Sequence, residues 1–463
     1  MTDERAATSF PAKPPAPGPA GEFRFPAFTE DTLGNGLRVV VCEDRRVARV
    51  CATMLIATGL APDEQRLPGL AAFLAAMLKE GTAGHTADEI AEAVDFMGAE
   101  LDTAGSQDML QVTISMLEEY FADGLGLLGE LVLEPTLPDE ELERLRRRQL
   151  AALANKHAQP GYLGRKACYR ALYGEHPYAA LDATEESLTA MSRDDLKRFR
   201  EARFDPSRSC LVLVGCLGRD HALRAAQSVF GNWSPAAAAE PLAAEVPPLA
   251  GRRALVVDFP SAVQSNIFIA NHALPFGHPD FVPFKVMNQV LGGSFASRLF
   301  MNLREEKGYT YGAYSRPDAR VEAGSLVASA AVRNEVTGDA LTEFFHEFAR
   351  IRDERVGDDE LRNAKAYLTG VFPIALERIE EIAAHIVSLK LYGLPDDHWD
   401  TYRNVLNGVT PEQVQQLAQR YVRPDETVIV VVGRADELRP VLEPYGPVTV
   451  LDKTGRPARE VNG

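Results

Sequence analysis

The sequence predicts an α+β fold made of two similar halves, each combining a mixed, largely antiparallel sheet with helices. Strand-like and helix-like segments are mixed throughout the 463 residues. A segment rich in Pro and Ala, 234–251, has the composition of a linker and divides the chain near its middle. The same order of features then returns after about 218 residues, a spacing that is too long for a solenoid and indicates a duplicated domain.

The first half begins with a predicted hairpin. Asn35-Gly36 favours the positive φ angles of a tight turn between two short strands within 32–41. The apolar spacing after it predicts strands over 50–56 and 209–215 and helices over 69–80, 87–97, 118–133 and 139–156.

Two sequence echoes support the duplication. The acidic start of the helix at 139–142 returns at 358–361, and the strand ending in Val214-Gly215 returns as one ending in Val432-Gly433. We therefore expect a disordered tail at 1–27, a first domain at 28–233, the linker at 234–251, a second domain at 252–452 and a tail at 453–463.

Composition narrows the choice of partners. The chain is 46% hydrophobic and 25% charged, as in soluble folded proteins, and its formal net charge of -17 disfavours nucleic acid and anionic membranes. The five cysteines form no CxxC pair, and neither a secretory h-region nor a run of about 20 apolar residues is present. These features predict a cytoplasmic protein, for which neutral or basic peptides are suitable ligands.

The helix predicted over 69–80 carries the first functional signal. Residues 69–82 read Gly-Leu-Ala-Ala-Phe-Leu-Ala-Ala-Met-Leu-Lys-Glu-Gly-Thr, which resembles the zinc helix of the insulinase/pitrilysin family of metallopeptidases. In that family the same frame carries His-x-x-Glu-His, whose two histidines lie on one helical face and bind zinc while the glutamate activates water. Here those three positions are Ala72, Ala75 and Ala76, and the resemblance places the third ligand near Ala152.

A methyl group neither coordinates zinc nor accepts a proton, so the resemblance implies an empty site in a chain that binds no metal or other cofactor. The nine histidines form neither HxxEH nor HExxH; His272 and His278 merely flank a Pro-Phe-Gly turn. Taken without the family frame, the segment is a core helix of good Ala and Leu propensity, and this is the role we expect for it.

The second half carries the second signal. We expect the glycine-rich stretch from Leu291 to Phe300 to open a helix that stops at Gly308, followed by a strand over 309–314. This stretch resembles the C-terminal half of the same family, where an arginine follows a glycine-rich segment and a tyrosine follows seven residues later. Arg304 and Tyr311 match that pair.

The resemblance implies a role for each residue of this stretch. Arg304 and Tyr311 are expected to reach the zinc site of the opposite half, hold the substrate backbone and stabilise the oxyanion. The residues expected to contact the peptide are Gly292, Gly293 and Ser294, together with Tyr309, which period-two alternation places on the strand face of Tyr311.

Each of these signals has a plainer interpretation. The Gly-Gly-Ser turn could bind a phosphate, although the Walker lysine is absent. Arg304 could belong to a solvated helix end with Glu305 and Glu306, and Tyr311 could fill a sheet face.

The resemblance covers about Phe28 to about Asp452 and implies one half of a metallopeptidase clam-shell. Our hypothesis is a non-catalytic subunit of a heterodimeric zinc metalloendopeptidase, in which a homologous HxxEH subunit supplies the zinc and this chain supplies Arg304 and Tyr311 in trans to an unfolded peptide. The alternative is a peptide-binding or scaffold subunit without a role in hydrolysis, for instance in precursor-peptide processing for a biosynthetic pathway. An active peptidase with another nucleophile would need a Ser/His/Asp or Cys/His arrangement, which sequence does not reveal.

Overall fold

The computed structural model describes residues 23–236, 242 and 244–458. Its strands, numbered along the chain, are β1 (Thr29–Thr32), β2 (Arg38–Glu43), β3 (Arg49–Ile56), β4 (Glu100–Gly105), β5 (Leu110–Leu117), β6 (Ser209–Gly215), β7 (Arg253–Asp258), β8 (Gln264–Ala273), β9 (Thr310–Ala319), β10 (Gly324–Arg333), β11 (Val428–Gly433) and β12 (Val448–Leu451).

The helices surround these strands. They are α1 (Pro62–Arg66), α2 (Leu70–Leu78), α3 (Ala87–Phe96), α4 (Phe121–Leu133), α5 (Asp139–His157), α6 (Pro160–Tyr173), α7 (Glu185–Ala190), α8 (Arg193–Arg203), α9 (Arg219–Phe230), α10 (Phe281–Leu291), α11 (Arg298–Phe300), α12 (Thr337–Asp353), α13 (Asp358–Ala375), α14 (Ile379–Leu391), α15 (His398–Gly408), α16 (Pro411–Tyr421) and α17 (Ala435–Leu442). None of the helices in the described part of the chain combines the length and the apolar character that a membrane span requires.

The strands of the described residues form two six-stranded sheets that share one plan. Sheet 1 has the order β1-β2-β6-β3-β5-β4, and sheet 2 has the order β12-β7-β11-β8-β10-β9. In both sheets one inner pair is parallel, β2 with β6 and β7 with β11, and the next three pairs are antiparallel. The edge strand beside the parallel pair differs between the two sheets: β1 pairs antiparallel with β2, whereas β12 pairs parallel with β7. The predicted fold class of two similar α/β halves is confirmed.

Each half contributes one helix to the other half's sheet. Helix α6 of the first half packs on β8 and β11 of sheet 2, and α14 of the second half packs on β3 and β6 of sheet 1. Gly164 lets α6 approach sheet 2, since an added Cβ would lie 2.4 Å from the ring of Phe268 and 2.9 Å from Val432. The two helices occupy equivalent positions in the duplicated halves, so the exchange is reciprocal.

The central strands β6 and β11 depend on the helix that the other half contributes. Every residue of both strands is buried, so each strand needs an apolar cover on both faces. Alternate residues enter different cores: Leu211 and Leu213 of β6 join the core of the first half, whereas Val212 and Val214 join the core that contains α14. The near-continuous apolar sequence of these strands follows from this two-sided burial.

Most local predictions are confirmed. Strand β1 pairs with β2 across the predicted turn, where Gly36 has a φ of +93°. Asn35 does not share the positive φ; its side-chain amide instead donates to the carbonyls of Phe230 and Trp233. The echoed acidic segments do open the long helices α5 and α13.

Two predictions need correction. The glycine-rich stretch does not open a helix directly, because α10 ends at Leu291 and the next helix begins only at Arg298. The predicted disordered tail extends too far, because Phe25 is buried and its N–H donates to the Asp400 carboxylate at 2.8 Å. Residues 1–22 and 459–463, the greater part of the predicted tails, lie outside the described residues.

The predicted linker contains no helix or strand among its described residues, but several of them contact the domains. The N–H of Leu242 donates to the Leu60 carbonyl at 2.9 Å, and the Pro247 carbonyl lies 3.0 Å from Nε2 of His272. Residues 237–241 and 243 lie outside the described residues. The described part of the segment therefore runs along the surface of both halves.

Because α6 packs closely on sheet 2, two similar Gly→Ala substitutions should differ in their effect on the free energy of unfolding. Gly164→Ala should lower the free energy of unfolding by about 1–3 kcal/mol, because the new methyl group must displace Phe268 or Val432. Gly126→Ala, in α4, is the matched control, because a Cβ there meets nothing within 4 Å and helix propensity favours alanine. Thermal and urea unfolding measure both variants, and equal effects would contradict the close approach of α6 to sheet 2.

Candidate functional site

Helix α2, which carries Ala72, Ala75 and Ala76, is fixed at its start by a buried carboxylate. Glu64 is 4% exposed, and its oxygens accept the backbone N–H groups of Gly69, at 3.0 Å, and of Ala71. Gly69 has a φ of +86°, and a Cβ there would meet the backbone of Ala183 at 2.9 Å. Helix α2 then lies against Gly105 of β4, where a Cβ would lie 2.4 Å from the Ala71 carbonyl oxygen. The position of α2 is therefore tightly constrained.

The structure brings two of the four alanines together. Ala72 and Ala152 line one cleft of about 200 Å³, together with Gln107, Gln149 and Lys156. Ala75 is fully buried in the core of the first half, and Ala76 is partly buried against the same core. Neither of these two lines the cleft.

These residues do not fit a zinc ion. Alanine side chains carry no lone pair, and zinc in proteins is held by Cys, His, Asp or Glu. Within residues 23–236, 242 and 244–458, no group of three such side chains is placed to hold a metal. The cleft contains instead an ion pair, Lys156 Nζ to Asp182 at 3.1 Å.

A larger cleft continues from this ion pair between the two halves. Lys156 and Asp182 line both clefts, and the second has a volume of about 720 Å³. One wall consists of α6 and of Lys156 and Gln159, which precede it in the chain. The other wall is the face of sheet 2 that carries Tyr314, Arg316 and Asp318. Its charged groups have both signs, so the cleft as a whole does not select one charge.

Arg304 and Tyr311 form a stacked pair on the surface. The guanidinium carbon of Arg304 lies 5.4 Å from the centroid of the Tyr311 ring, and Tyr311 is 85% exposed. The nearest ion pair of Arg304 is a loose one, 3.6 Å to the neighbouring Glu305. Cation–π stacking of this kind orients both groups and leaves their hydrogen-bond donors free for a ligand.

Irregular backbone presents both side chains. Helix α11 continues as a π-helix over Met301–Glu306, in which the Lys307 N–H donates to the Asn302 carbonyl five residues earlier. At the start of β9 the pairing with β10 shifts, so that Tyr311 and Gly312 together oppose the single residue Ala331. π-helical turns and β-bulges re-aim side chains and are frequent at functional sites.

Two known protein families match this sequence. The family described as Insulinase (Peptidase family M16) matches residues 38–180, and the one described as Peptidase M16 inactive domain matches residues 190–368. Together they span more than half of the chain. The chain belongs to the insulinase family.

Individual relatives agree with this assignment. The chain is 25% identical over 404 residues to the uncharacterized zinc protease YmxG of Bacillus subtilis, covering 86% of this chain and 97% of the relative. It is 26% identical over 380 residues to the non-peptidase homolog YmxG of Helicobacter pylori, covering 81% and 86%. The crystal structure of the peptidase M16 inactive domain from Pseudomonas fluorescens superimposes with a TM-score of 0.80 at 27% identity, covering 88% and 98%. Within the insulinase family this chain is an inactive homologue, with alanine in the frame of the zinc motif.

The glycine-rich segment has a structural role that the sequence did not predict. Gly292 is buried, its carbonyl accepts the Ser315 N–H at 2.9 Å, and a Cβ on it would lie 2.3 Å from that nitrogen. Asn288 donates to the Ser315 carbonyl at 3.0 Å, so the end of α10 is fastened to β9. A Cβ on Gly293 would approach Gln289, whereas Ser294 is partly exposed.

Tyr309 does not share a strand face with Tyr311. It lies before the first residue of β9 and packs partly buried on the core of the second half, and the bulge at Tyr311 breaks the alternation on which the prediction rested. Its N–H donates to the Leu303 carbonyl at 2.9 Å. A role for Tyr309 in peptide contact stays a prediction.

Sequence reasoning missed the side chains that hold the Arg304 turn in place. Arg298, which is nearly buried, binds Glu360 of α13 through Nε at 2.7 Å and Nη2 at 3.0 Å. The Asn302 amide donates to Glu343 at 2.9 Å and to Glu347 at 2.7 Å, both on α12. These contacts join residues far apart in sequence, so no local pattern indicated them.

The buried Glu64 predicts a pH-dependent stability. Burial raises the pKa of Glu64 from 4.5 to about 7, although the N–H groups of Ala71 and Gly69 oppose the rise. Between these two pH values the folded chain holds a proton that the unfolded chain has released, so the free energy of unfolding falls as pH rises from about 4.5 to 7.

Glu64→Gln removes this titration, and the melting temperature of the variant minus that of the wild type should therefore increase from pH 4.5 to 7 and then level off. The full change is on the order of 3 kcal/mol in the free energy of unfolding. Differential scanning fluorimetry at several pH values measures the melting temperatures of the variant and the wild type. A difference that is constant with pH would show that Glu64 keeps an ordinary pKa.

Proposed function

We propose that this chain is the non-catalytic subunit of a heterodimeric zinc metalloendopeptidase. A homologous subunit with an intact His-x-x-Glu-His motif supplies the metal and the general base, and this chain supplies Arg304 and Tyr311 in trans to an unfolded peptide. The observation that carries the proposal is the exposed Arg304–Tyr311 stack on a chain whose own zinc positions are alanine.

The chemistry of the pair supports this role. Guanidinium offers a rigid fork of N–H donors and phenol a single directed one, and both suit the carbonyl and the developing oxyanion of a peptide under attack. Neither side chain lines the cleft that holds Ala72 and Ala152 of the same chain. A second subunit is therefore the natural source of the reacting centre.

The cost of the local backbone supports it further. A π-helical turn and a bulge are less stable than regular helix and strand, and they persist where surrounding contacts enforce them. Here Arg298 and Asn302 provide these contacts from within the helix that carries Arg304.

All five cysteines are free thiols, which fits the predicted cytoplasmic location.

Tyr311→Phe tests the proposal directly. Co-expression with a homologous HxxEH subunit from the same genome should give a complex whose peptide turnover falls about 10²–10³-fold when the phenol hydroxyl is removed, because an oxyanion donor is lost. Association of the subunits, measured by size-exclusion chromatography, should be unchanged. Tyr367→Phe is the matched control, since Tyr367 is also an exposed tyrosine of the second half.

Unchanged turnover in Tyr311→Phe would refute the role in trans and favour a scaffold or peptide-binding subunit. The single chains provide a separate check. This chain alone should show no chelator-sensitive hydrolysis of an unfolded casein substrate, and such activity would overturn the assignment as non-catalytic.

A further inference from the structure

A second contact between the halves borders the large cleft. It joins the turn between β9 and β10 of the second half to α6 and the residues that follow α6 in the first half. The guanidinium carbon of Arg320, in this turn, lies 5.3, 5.8 and 4.7 Å from the ring centroids of Tyr169, Tyr173 and Tyr178, respectively. Asp318 pairs with Arg320 at 3.1 Å, and both Asp318 and Tyr169 line the cleft of about 720 Å³. Movement at this contact would therefore change the width of the cleft.

Two histidines lie in this contact, one from each half. His176 follows α6 and is 4% exposed, and its ring centroid lies 4.6 Å from that of Tyr178 and 6.1 Å from that of Tyr173. His272 lies in β8, and its ring centroid lies 5.5 Å from that of Tyr173. The fully buried Tyr173 thus packs against a histidine ring from each half.

Backbone groups set the tautomer of each histidine ring. The Tyr178 N–H donates to Nδ1 of His176 at 3.1 Å, so the ring proton of His176 is on Nε2. Nε2 of His272 lies 3.0 Å from the Pro247 carbonyl, which only accepts, so the ring proton of His272 is also on Nε2. The other ring nitrogens, Nε2 of His176 and Nδ1 of His272, are buried without a hydrogen-bond partner among the described residues.

A second proton on either ring disrupts this arrangement. His176 must take it up on Nδ1, which then no longer accepts the Tyr178 N–H. His272 must also take it up on Nδ1, an atom shielded from solvent. The pKa of His176 is lowered by burial and then by Arg320 and His272. Burial likewise lowers the pKa of His272, with a smaller contribution from Arg423, although the hydrogen bond to Pro247 opposes the change. The closed contact therefore favours two neutral rings.

The acidic groups of this contact act in the opposite direction. Asp108, at the turn between β4 and β5, accepts the Tyr178 hydroxyl at 2.6 Å. Burial raises the pKa values of Asp108 and of Glu322, so the closed contact retains their protons and gains stability from them as pH falls. The phenols stay neutral throughout, because burial raises the pKa values of Tyr169, Tyr173 and Tyr178. Substituting only the histidines separates their effect from that of the carboxylates.

We propose that His176 and His272 form a pH-sensitive latch that holds the turn between β9 and β10 against the end of α6. The latch is closed while both rings are neutral, and it opens as they take up protons, which widens the adjoining cleft. A solvent-exposed histidine has a pKa of about 6.5, so at pH 5.5 each ring favours the open state by up to about tenfold, and both rings by up to about a hundredfold. The latch needs no partner subunit and does not depend on the role proposed for Arg304 and Tyr311.

Hydrogen–deuterium exchange with mass spectrometry on the whole chain tests the latch. His176→Asn keeps an acceptor in place of Nδ1, and His272→Gln keeps a donor in place of Nε2, but neither new side chain titrates. Between pH 7.5 and 5.5, after correction for intrinsic exchange rates, the wild-type amides of 173–180 and 320–325 should lose up to about a hundredfold more protection than those of the double variant. Each single variant should remove up to about tenfold of this loss.

His346→Gln is the matched control, because His346 is exposed on α12 of the second half, away from this contact. It should keep the pH dependence of the wild type, and melting temperatures at pH 7.5 establish that all variants fold. An equal pH dependence in the wild type and the double variant would overturn the proposal. So would an equal loss of protection in β6 and β11, because the whole chain would then unfold rather than the latch open.

Discussion

The rest of the molecule depends on one reciprocal interaction, in which α6 packs on sheet 2 and α14 packs on sheet 1. A sheet with two apolar faces buries its residues only when both faces are covered. In each sheet, a helix from the other half covers one of these faces. Val212 and Val214 of the first sheet thus share a core with α14, and Val430 and Val432 of the second sheet share a core with α6. The cleft between α6 and sheet 2 is a consequence of this packing.

Two regions of the chain that resemble an active site have different physical character. Helix α2 is regular, largely buried and firmly anchored at Glu64, and it carries alanine where its family carries ligands. The segment with Arg304 and Tyr311 combines a π-helix, a bulge and two exposed donors. Irregular backbone gives up regular hydrogen bonds and needs bracing from Arg298 and Asn302. Its presence here supports the role proposed for Arg304 and Tyr311.

Local sequence patterns predicted the regular elements well. Helical spacing marked α2 and α5, and the Asn-Gly turn marked the pairing of β1 with β2, because these depend on residues close in sequence. The pattern failed at Tyr309, where a bulge interrupts the alternation, and at Gly292, where the end of α10 is fixed by Ser315 rather than by its own sequence. Phe25 was placed in a tail because its partner Asp400 lies on a distant helix.

The sequence by itself determined which chemistry each position offers. A methyl group at Ala72, Ala76 or Ala152 has no lone pair in any fold, whereas the guanidinium of Arg304 keeps its donors wherever it lies. Only the tertiary structure decided that Ala72 and Ala152 line one cleft, that Ala75 is buried away from it, and that Arg304 stacks on Tyr311. The physical reason is that side-chain chemistry is covalent and local, while its placement results from contacts between distant segments whose pairing no local periodicity encodes.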